Sequence, residues 1–589
     1  MCGIAGVMTS DATHPKPAML DGFLRALAHR GPDGEGRYEA PGVGLVQTRL
    51  AIIDLSTGDQ PLYGDNGTAL VANGEIYNYL ELKRDFPTTH FKTHSDCELP
   101  LASYARDGAD FAKPLRGMYA IALHDARDHA LYLARDPFGI KPLYYAEIPG
   151  GIVFASELQA ILKTNFVTAK IRPQTATELV QLQFTTGRDT IFEEIHRVMP
   201  GETLTLRGGR IVGRRQKPAL PEGPPLKLGE VEALKALDAA LMDSVSVHQR
   251  SDVPYGMFLS GGIDSAAVLA CMARLSEKPV RAFTAGFPAT ATHDERENAR
   301  RVAASVGAEH IEIAITDKDF WTQLPAIAAI MDDPAADYAA LPTFLLAAQA
   351  ASELKVVLTG EGGDELFAGY GRYRSALRSP FLGGRPMRRR GALEGLGVMR
   401  DSSRQWRAGI ATAERRLSSS NSTRLQQAQA LDCADWLPND LLLKVDRCLM
   451  AHGLEGRTPM LDPVVADLAF RLPDDLKIAK GKGKYLLRRW LQDALPVADP
   501  FAEKRGFTVP VAEWMQPSAA KLAPLLSRSA GLAEICYPEK IGALFAAFGN
   551  LGGKHEGIAC WQLLFYALWH AIHVEKRPIV HNVFAMLEA

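Results

Sequence analysis

The second residue of the chain is a cysteine, in the stretch MCGIAG. Removal of Met1 would leave Cys2 carrying a thiol and a free α-amine on one residue. That amine, with an ordinary pKa of about 8, is a general base for its own thiol, so Cys2 is a candidate nucleophile. From these six residues alone, a plain strand residue is the competing reading. A second stretch, MFLSGGIDSAAVLA, sets Ser260, Gly261 and Gly262 between an apolar run ending at Leu259 and a helix-like run. Glycines there let backbone N–H groups approach an anion, and the start of a helix favours negative charge. Ser260 and Ser265 add hydroxyl donors. Asp264 would repel a phosphate directly, so a bridging Mg2+ explains its presence and makes it a candidate metal ligand. The GxxxxGK[ST] phosphate loop is absent.

The SGGIDS pattern between strand and helix resembles the PP-loop of the ATP pyrophosphatases, which cleave ATP between the α and β phosphates. A further loop, TGEGGDELFAGY, Thr359 to Tyr370, follows the apolar run KVVL. Carboxylates beside a triphosphate repel it unless they hold metal or move protons. Asp364 is therefore a second candidate Mg2+ ligand, and Glu361 a candidate general base for an attacking amine.

Elements must position these residues. A chain of 589 residues is too long for one ordinary core, which predicts two to four domains. Its composition, 47% hydrophobic and 23% charged with a net charge of −2, predicts a globular protein with no nucleic-acid footprint. Seven cysteines without a CxxC pair argue against a zinc ribbon or disulfide framework and suit a reducing, cytoplasmic setting. The first twenty residues do not read as a signal peptide. IACWQLLFYALWHAIHV, Ile558 to Val574, is too short and too polar to span a membrane and reads as a buried helix.

Up to about residue 210 the sequence is rich in short β-type runs broken by glycine, such as VGLVQTRLAII, ALVANGEIY and GMYAIALHD. These predict layered antiparallel sheets with a few helices. RRQKPALPEGPPLK, Arg214 to Lys227, carries the linker signal. Beyond it, strand-like and helix-like runs alternate, predicting a doubly wound parallel sheet, and the chain turns mostly helical after about 370. The expected division is 2–210, a linker 211–228, and 229–589. RPMRRR, at 385–390, reads as a solvated basic loop.

MCGIAG, HRGPD, RLAIID, NGEIYN, HSDCE and ARDPFGIKPLYY occur in that order. Residues 2 to about 195 resemble the N-terminal-nucleophile (Ntn) glutaminase domain of class II glutamine amidotransferases. The resemblance implies that Arg49 grips the α-carboxylate of glutamine, and that Asp96 and Glu75 receive its α-ammonium. It implies that the Asn73 side-chain amide and the Gly74 N–H form an oxyanion hole as Cys2 attacks.

Together the two halves resemble the glutamine-hydrolysing asparagine synthetases. LLLKVDRCLMAHGLEGRTPMLD, GKGKYLLRRW and EKRGFTVPVAEW agree with that family. The implied fold is α/β and α+β: an Ntn-hydrolase sandwich of antiparallel sheets flanked by helices, then a PP-loop domain with a helical end. Glutamine, aspartate and ATP are the implied substrates, with Mg2+, no nucleic acid, no membrane and a homodimeric assembly. ATP would lie against Leu259, Ser260, Gly261, Gly262, Asp264, Ser265, Ala285, Thr359 and Gly360. Lys504 would stabilise the leaving pyrophosphate. An aspartyl-adenylate would form and ammonia displace AMP, reaching it by an apolar passage past Met118. Ala368 and Gly456 stand where relatives often carry glycine and alanine. Another carboxylate, such as a peptide, a sugar acid or a secondary-metabolite precursor, is the alternative acceptor. An inactive scaffold and a β-lactam-synthetase-like enzyme are less consistent with the intact Cys2 set.

Overall fold

The computed structural model describes every residue except 1, 12–14, 66, 293, 379–380, 382–386, 402, 419–420, 503–507 and 589. The amino-terminal half holds two six-stranded sheets. One runs, in spatial order, His196–Arg197, Tyr144–Ile148, Gly151–Ala155, Cys2–Thr9, Val43–Arg49 and Gly34–Ala40. The other runs Arg210–Gln216, Glu202–Arg207, Ala130–Arg135, Gly117–Asp125, Thr68–Ile76 and Leu62–Tyr63.

The strand period of two explains the layering. In Cys2–Thr9, Ile4 and Met8 point between the sheets, where they meet Val71, Ala120 and Leu133 of the other sheet. Ala5 and Val7 point outward and pack on Leu20, Phe23 and Leu27 of the helix Pro17–Leu27. On the far side Leu70, Ala72 and Ile121 cover Leu99 and Tyr104 of the helix Leu99–Asp107. Helix, sheet, sheet, helix is the sandwich that the alternating runs predict.

The strand Arg210–Gln216 reaches into the stretch expected as linker, because its residues pair antiparallel with Glu202–Arg207. Residues 217–229 carry no helix or strand.

The second half is built on a five-stranded parallel sheet ordered Glu309–Ala314, Arg281–Gly286, Tyr255–Phe258, Val356–Leu358 and Glu455–Arg457. From Tyr255–Phe258 the next strands in sequence add on one side, while Val356–Leu358 adds on the other. The crevice at such a reversal, outside the carboxyl ends of the strands, is where sheets of this kind bind ligands. Both candidate loops leave from it.

Helices make up most of the remainder. Lys554–His573 is buried along most of its length, with the Trp561 and Trp569 indole N–H groups donating to the carbonyls of Ala336 and Met331. No helix among the described residues is long and apolar enough to cross a membrane.

Candidate active sites and the seam between them

The strand register sets Cys2 opposite Arg49, and Arg49 opposite Gly34. Cys2 is buried, and its backbone N–H donates to Asn73 Oδ1 at 3.1 Å. The Asn73 amide is itself fully buried, and its Nδ2 has no hydrogen-bond partner. A buried donor without a partner is costly, and a developing oxyanion beside Cys2 would supply one. Burial pushes the Cys2 thiol up, which a Leu50 backbone N–H partly offsets, so the thiol needs a base to ionise.

Gly74 has φ +156°, and a Cβ there would lie 2.1 Å from the Met118 carbonyl oxygen, so only glycine fits. Arg49 Nη1 lies 2.6 Å from Asp59 Oδ1, and its Nη2 donates to the Asp54 carbonyl at 2.5 Å. Asp96 is buried and accepts the Ile76 N–H at 2.6 Å; desolvation raises its pKa. Glu75 lies on the same strand face as Asn73, with its Oε2 3.2 Å from Arg457 Nη2 of the second half. Burial, with the neighbouring Glu455 and Asp96 charges, holds its carboxyl well above the usual range. Gln47 was not foreseen; its Nε2 donates to Cys2 Sγ at 2.9 Å.

At the parallel sheet, Ser260 and Ser265 bond through their hydroxyls at 3.0 Å, and the Ser265 hydroxyl also donates to the Ser260 carbonyl. Gly261 N–H donates to Glu295 Oε2 at 3.0 Å, while Asn298 Nδ2 donates to the Gly261 carbonyl. The loop is thus fastened from behind. Leu259 is buried, its carbonyl accepting from Thr284 Oγ1, and Ala285 is buried on the adjacent strand. Thr359 N–H donates to the Arg457 carbonyl at 2.8 Å.

The second loop presses on the first. A Cβ on Gly360 would lie 2.8 Å from Ser265 N, and one on Gly363 would lie 2.3 Å from Asp264 Oδ1. Asp264 and Asp364 converge on one ammonium, that of Lys484, which lies 2.7 Å from Asp364 Oδ1 and bonds Asp264 Oδ2. Burial pulls the Lys484 pKa down, but the two carboxylates outweigh it and hold it raised. Its backbone sits at φ +57°, a conformation costing about 1–2 kcal/mol away from glycine. Two carboxylates converging at one charged point suit Mg2+, whose remaining ligands are phosphate and water.

Glu361 is half-buried, with Lys444 Nζ 3.9 Å from its Oε1. Burial raises its carboxyl; Lys444 opposes this, and Asp337, Asp364 and Asp264 add to it. Lys504 lies outside the described residues. Lys484 was missed because GKGKYLLRRW offers several cations and nothing local marks the one that meets Asp264.

Between the sites runs a buried chain of charges. Arg30, wholly buried, donates from Nε to the Cys2 carbonyl at 3.2 Å and from its Nη atoms to Asp446 at 2.8 and 3.0 Å. It also pairs with Glu157, at 2.8 Å. Asp446 lies on the helix Leu442–Met450, with Arg447, which pairs with Asp332 at 2.7 Å, and Lys444, which pairs with Asp337 at 2.9 Å. Beside it an apolar cluster holds Leu50, Ile52 and Met118 of the first half together with Leu441, Leu442 and Met460 of the second.

The glutamine amidotransferase domain family matches residues 1–216, and the asparagine synthase family matches residues 236–571. Asparagine synthetase [glutamine-hydrolyzing] 1 of Bacillus subtilis is 32% identical over 98% of each chain. A putative asparagine synthetase [glutamine-hydrolyzing] of Mycobacterium bovis is 33% identical over 98% of each. Amidase chyE of Penicillium rubens is 33% identical over 61% of this chain and 56% of its own. With both family models matched in order and relatives aligned over nearly its whole length, the chain belongs to the glutamine-hydrolysing asparagine synthetase family.

Proposed function

We propose that the chain converts glutamine, aspartate and ATP to asparagine, glutamate, AMP and pyrophosphate through an aspartyl-adenylate. The observation that carries the glutaminase step is the unpartnered Asn73 Nδ2 beside Cys2.

With Met1 removed, the Cys2 α-amine takes the thiol proton, and the sulfur attacks the side-chain amide carbon of glutamine. Asn73 Nδ2 and the Gly74 N–H hold the oxyanion, ammonia leaves with the amine's proton, and water then frees glutamate from the thioester. Arg49 trades contacts with Asp59 and the Asp54 carbonyl for the α-carboxylate of glutamine. Asp96 receives its α-ammonium. Glu75, beside Asp96 and paired with Arg457, completes the acidic end that receives it. Ammonia then crosses the apolar seam past Met118.

At the second site Leu259, Ser260, Gly261, Gly262, Ser265, Ala285, Thr359 and Gly360 cradle ATP. Asp264 and Asp364 would hold Mg2+, which when bound offsets phosphate charge. The aspartate carboxylate attacks the α-phosphorus and pyrophosphate departs, with Lys484 and Lys504 balancing its charge. Glu361, whose raised basicity suits the task, takes a proton as ammonia displaces AMP.

The reading is tested by end-point assay of the intact protein against Cys2→Ala. We expect asparagine formed in step with AMP, and in Cys2→Ala lost with glutamine but retained with ammonia. The likeness to amidase chyE favours a second reading, the same chemistry on another carboxylate. Glutamate release without asparagine or AMP would sink aspartate as acceptor and leave that second reading standing.

A further inference from the structure

The basic run at 385–390 does not behave as a solvated loop throughout. Arg388 is largely buried, its guanidinium carbon 4.0 Å above the Trp436 ring and 5.0 Å from that of Phe184. On the same indole, at 5.4 Å, lies Arg372, which also stacks on Tyr370 at 3.8 Å. Both guanidiniums face one carboxylate, Asp432, at 2.8 Å from Arg372 and 3.6 Å from Arg388.

They line a cavity of about 900 Å3 that shares no residue with either candidate catalytic site. Arg389 and Arg390 stand at its mouth, and its far wall is the helix Lys554–His573, through His555, Ile558 and Gln562. Among the described residues, four guanidiniums thus face three carboxylates, those of Asp432, Glu394 and Asp440. Of these, Asp440 is engaged by Gln183 at 2.8 Å. Gln562 is buried, and its Oε1 has no hydrogen-bond partner. Its amide can turn to offer either its donors or its acceptor to a bound molecule.

Excess positive charge held in rigid, stacked guanidiniums is costly to keep partly desolvated without an anion. A planar guanidinium fork matches carboxylate and phosphate alike. The volume is that of a small-molecule site.

We propose that this cavity binds a small organic polyanion, a molecule carrying two or more carboxylate or phosphate groups. Arg372 and Arg388, stiffened by their stacking on Trp436, hold one anionic group, and Arg389 and Arg390 hold another at the mouth. Through Tyr370, whose hydroxyl donates to Glu365 at 2.7 Å, the site adjoins the loop that carries Asp364. The inference goes beyond the proposed reaction and does not depend on its acceptor.

The test is equilibrium dialysis of the intact protein, without ATP or Mg2+, against radiolabelled citrate in one arm and radiolabelled phosphate in the other. We expect binding that weakens about tenfold in Arg390→Glu and at least as much in Arg388→Gln. Citrate alone would assign carboxylates as the ligand's anionic groups, phosphate alone would assign phosphates, and both would assign a shared anion site. Arg390 is exposed, so its variant keeps the fold even if Arg388→Gln does not. No bound anion at about 1 mM free ligand overturns the proposal. So does affinity unchanged in Arg390→Glu, which would place the anion at the Ser260 loop.

Discussion

Asn73 joins position and chemistry in a single amide: Oδ1 accepts the Cys2 N–H and Nδ2 has no partner. Asn73→Ala should lower glutamine-dependent turnover about 100- to 1,000-fold, as loss of one oxyanion donor does elsewhere. Ammonia-dependent turnover should be unchanged, and paired steady-state assays separate the two. Glu178 makes a different prediction. Its carboxyl is pushed up to about 7 by burial, despite bonds from the Thr186 hydroxyl and N–H. Between the ordinary glutamate pKa and this one, the folded chain holds a proton that the unfolded chain has released. Stability from this group therefore falls as pH rises through that window and is flat above it. Replacing it by the neutral amide, Glu178→Gln, should flatten that part of the unfolding free energy between about pH 4.5 and about pH 7, read by urea titration. Residues whose chemistry is written contiguously were legible in the sequence: Cys2 behind Met1, and the Ser260–Ser265 run. Lys484 was not, because it meets Asp264 from 220 positions away.

The element that joins the sites is the helix Leu442–Met450, whose Lys444, Asp446 and Arg447 are all buried. Lys444 faces the Glu361 loop and Asp446 faces Arg30, so one short rigid rod touches both neighbourhoods. It follows a stretch of wider helical turns, Asp432–Leu441, a geometry that often marks functional sites. Asp446→Asn keeps the shape and removes the charge between Arg30 and Arg447. It should destabilise the chain by about 1–3 kcal/mol, less than orphaning a buried ion costs, because Glu157 still faces Arg30 and Asp332 still faces Arg447. The double variant Arg30→Met, Asp446→Leu should recover part of that loss in the same urea titration. Strand, loop and helix around Ser260 were legible because apolar period and glycines agree there. The linker boundary was not. Ile211 sits among charges that read as loop, yet pairing with Leu206 makes it strand, with Val212 the extra residue at a shift in register. Ala368 is similar: its φ of +57° explains why glycine suits that place, which no local pattern announces.

At the scale of the whole molecule, the order of the two halves was legible and their contacts were not, since buried pairs such as Arg30–Asp446 and Arg197–Asp333 leave no trace in local composition. Those pairs, with the apolar cluster around Met118, hold the halves more firmly than residues 217–229 do. Proteolytic cleavage confined to 217–229 should leave both pieces co-eluting on gel filtration at physiological salt. Separation into two peaks would show the linker to be the joint. The strand Glu455–Arg457 ends the parallel sheet on its side, yet it is wholly buried. Its Arg457 bonds the carbonyls of His248 and Arg250 and reaches Glu75 and Tyr77 across the seam. Outer strands are templates for unwanted pairing between chains. Removing the amino-terminal half should therefore expose this strand and promote aggregation, read by light scattering of the isolated carboxyl-terminal half. A descendant living on free ammonia could discard Cys2 and Asn73, yet the strand Glu455–Arg457 would still need the wall bearing Glu75 and Tyr77 to cover it.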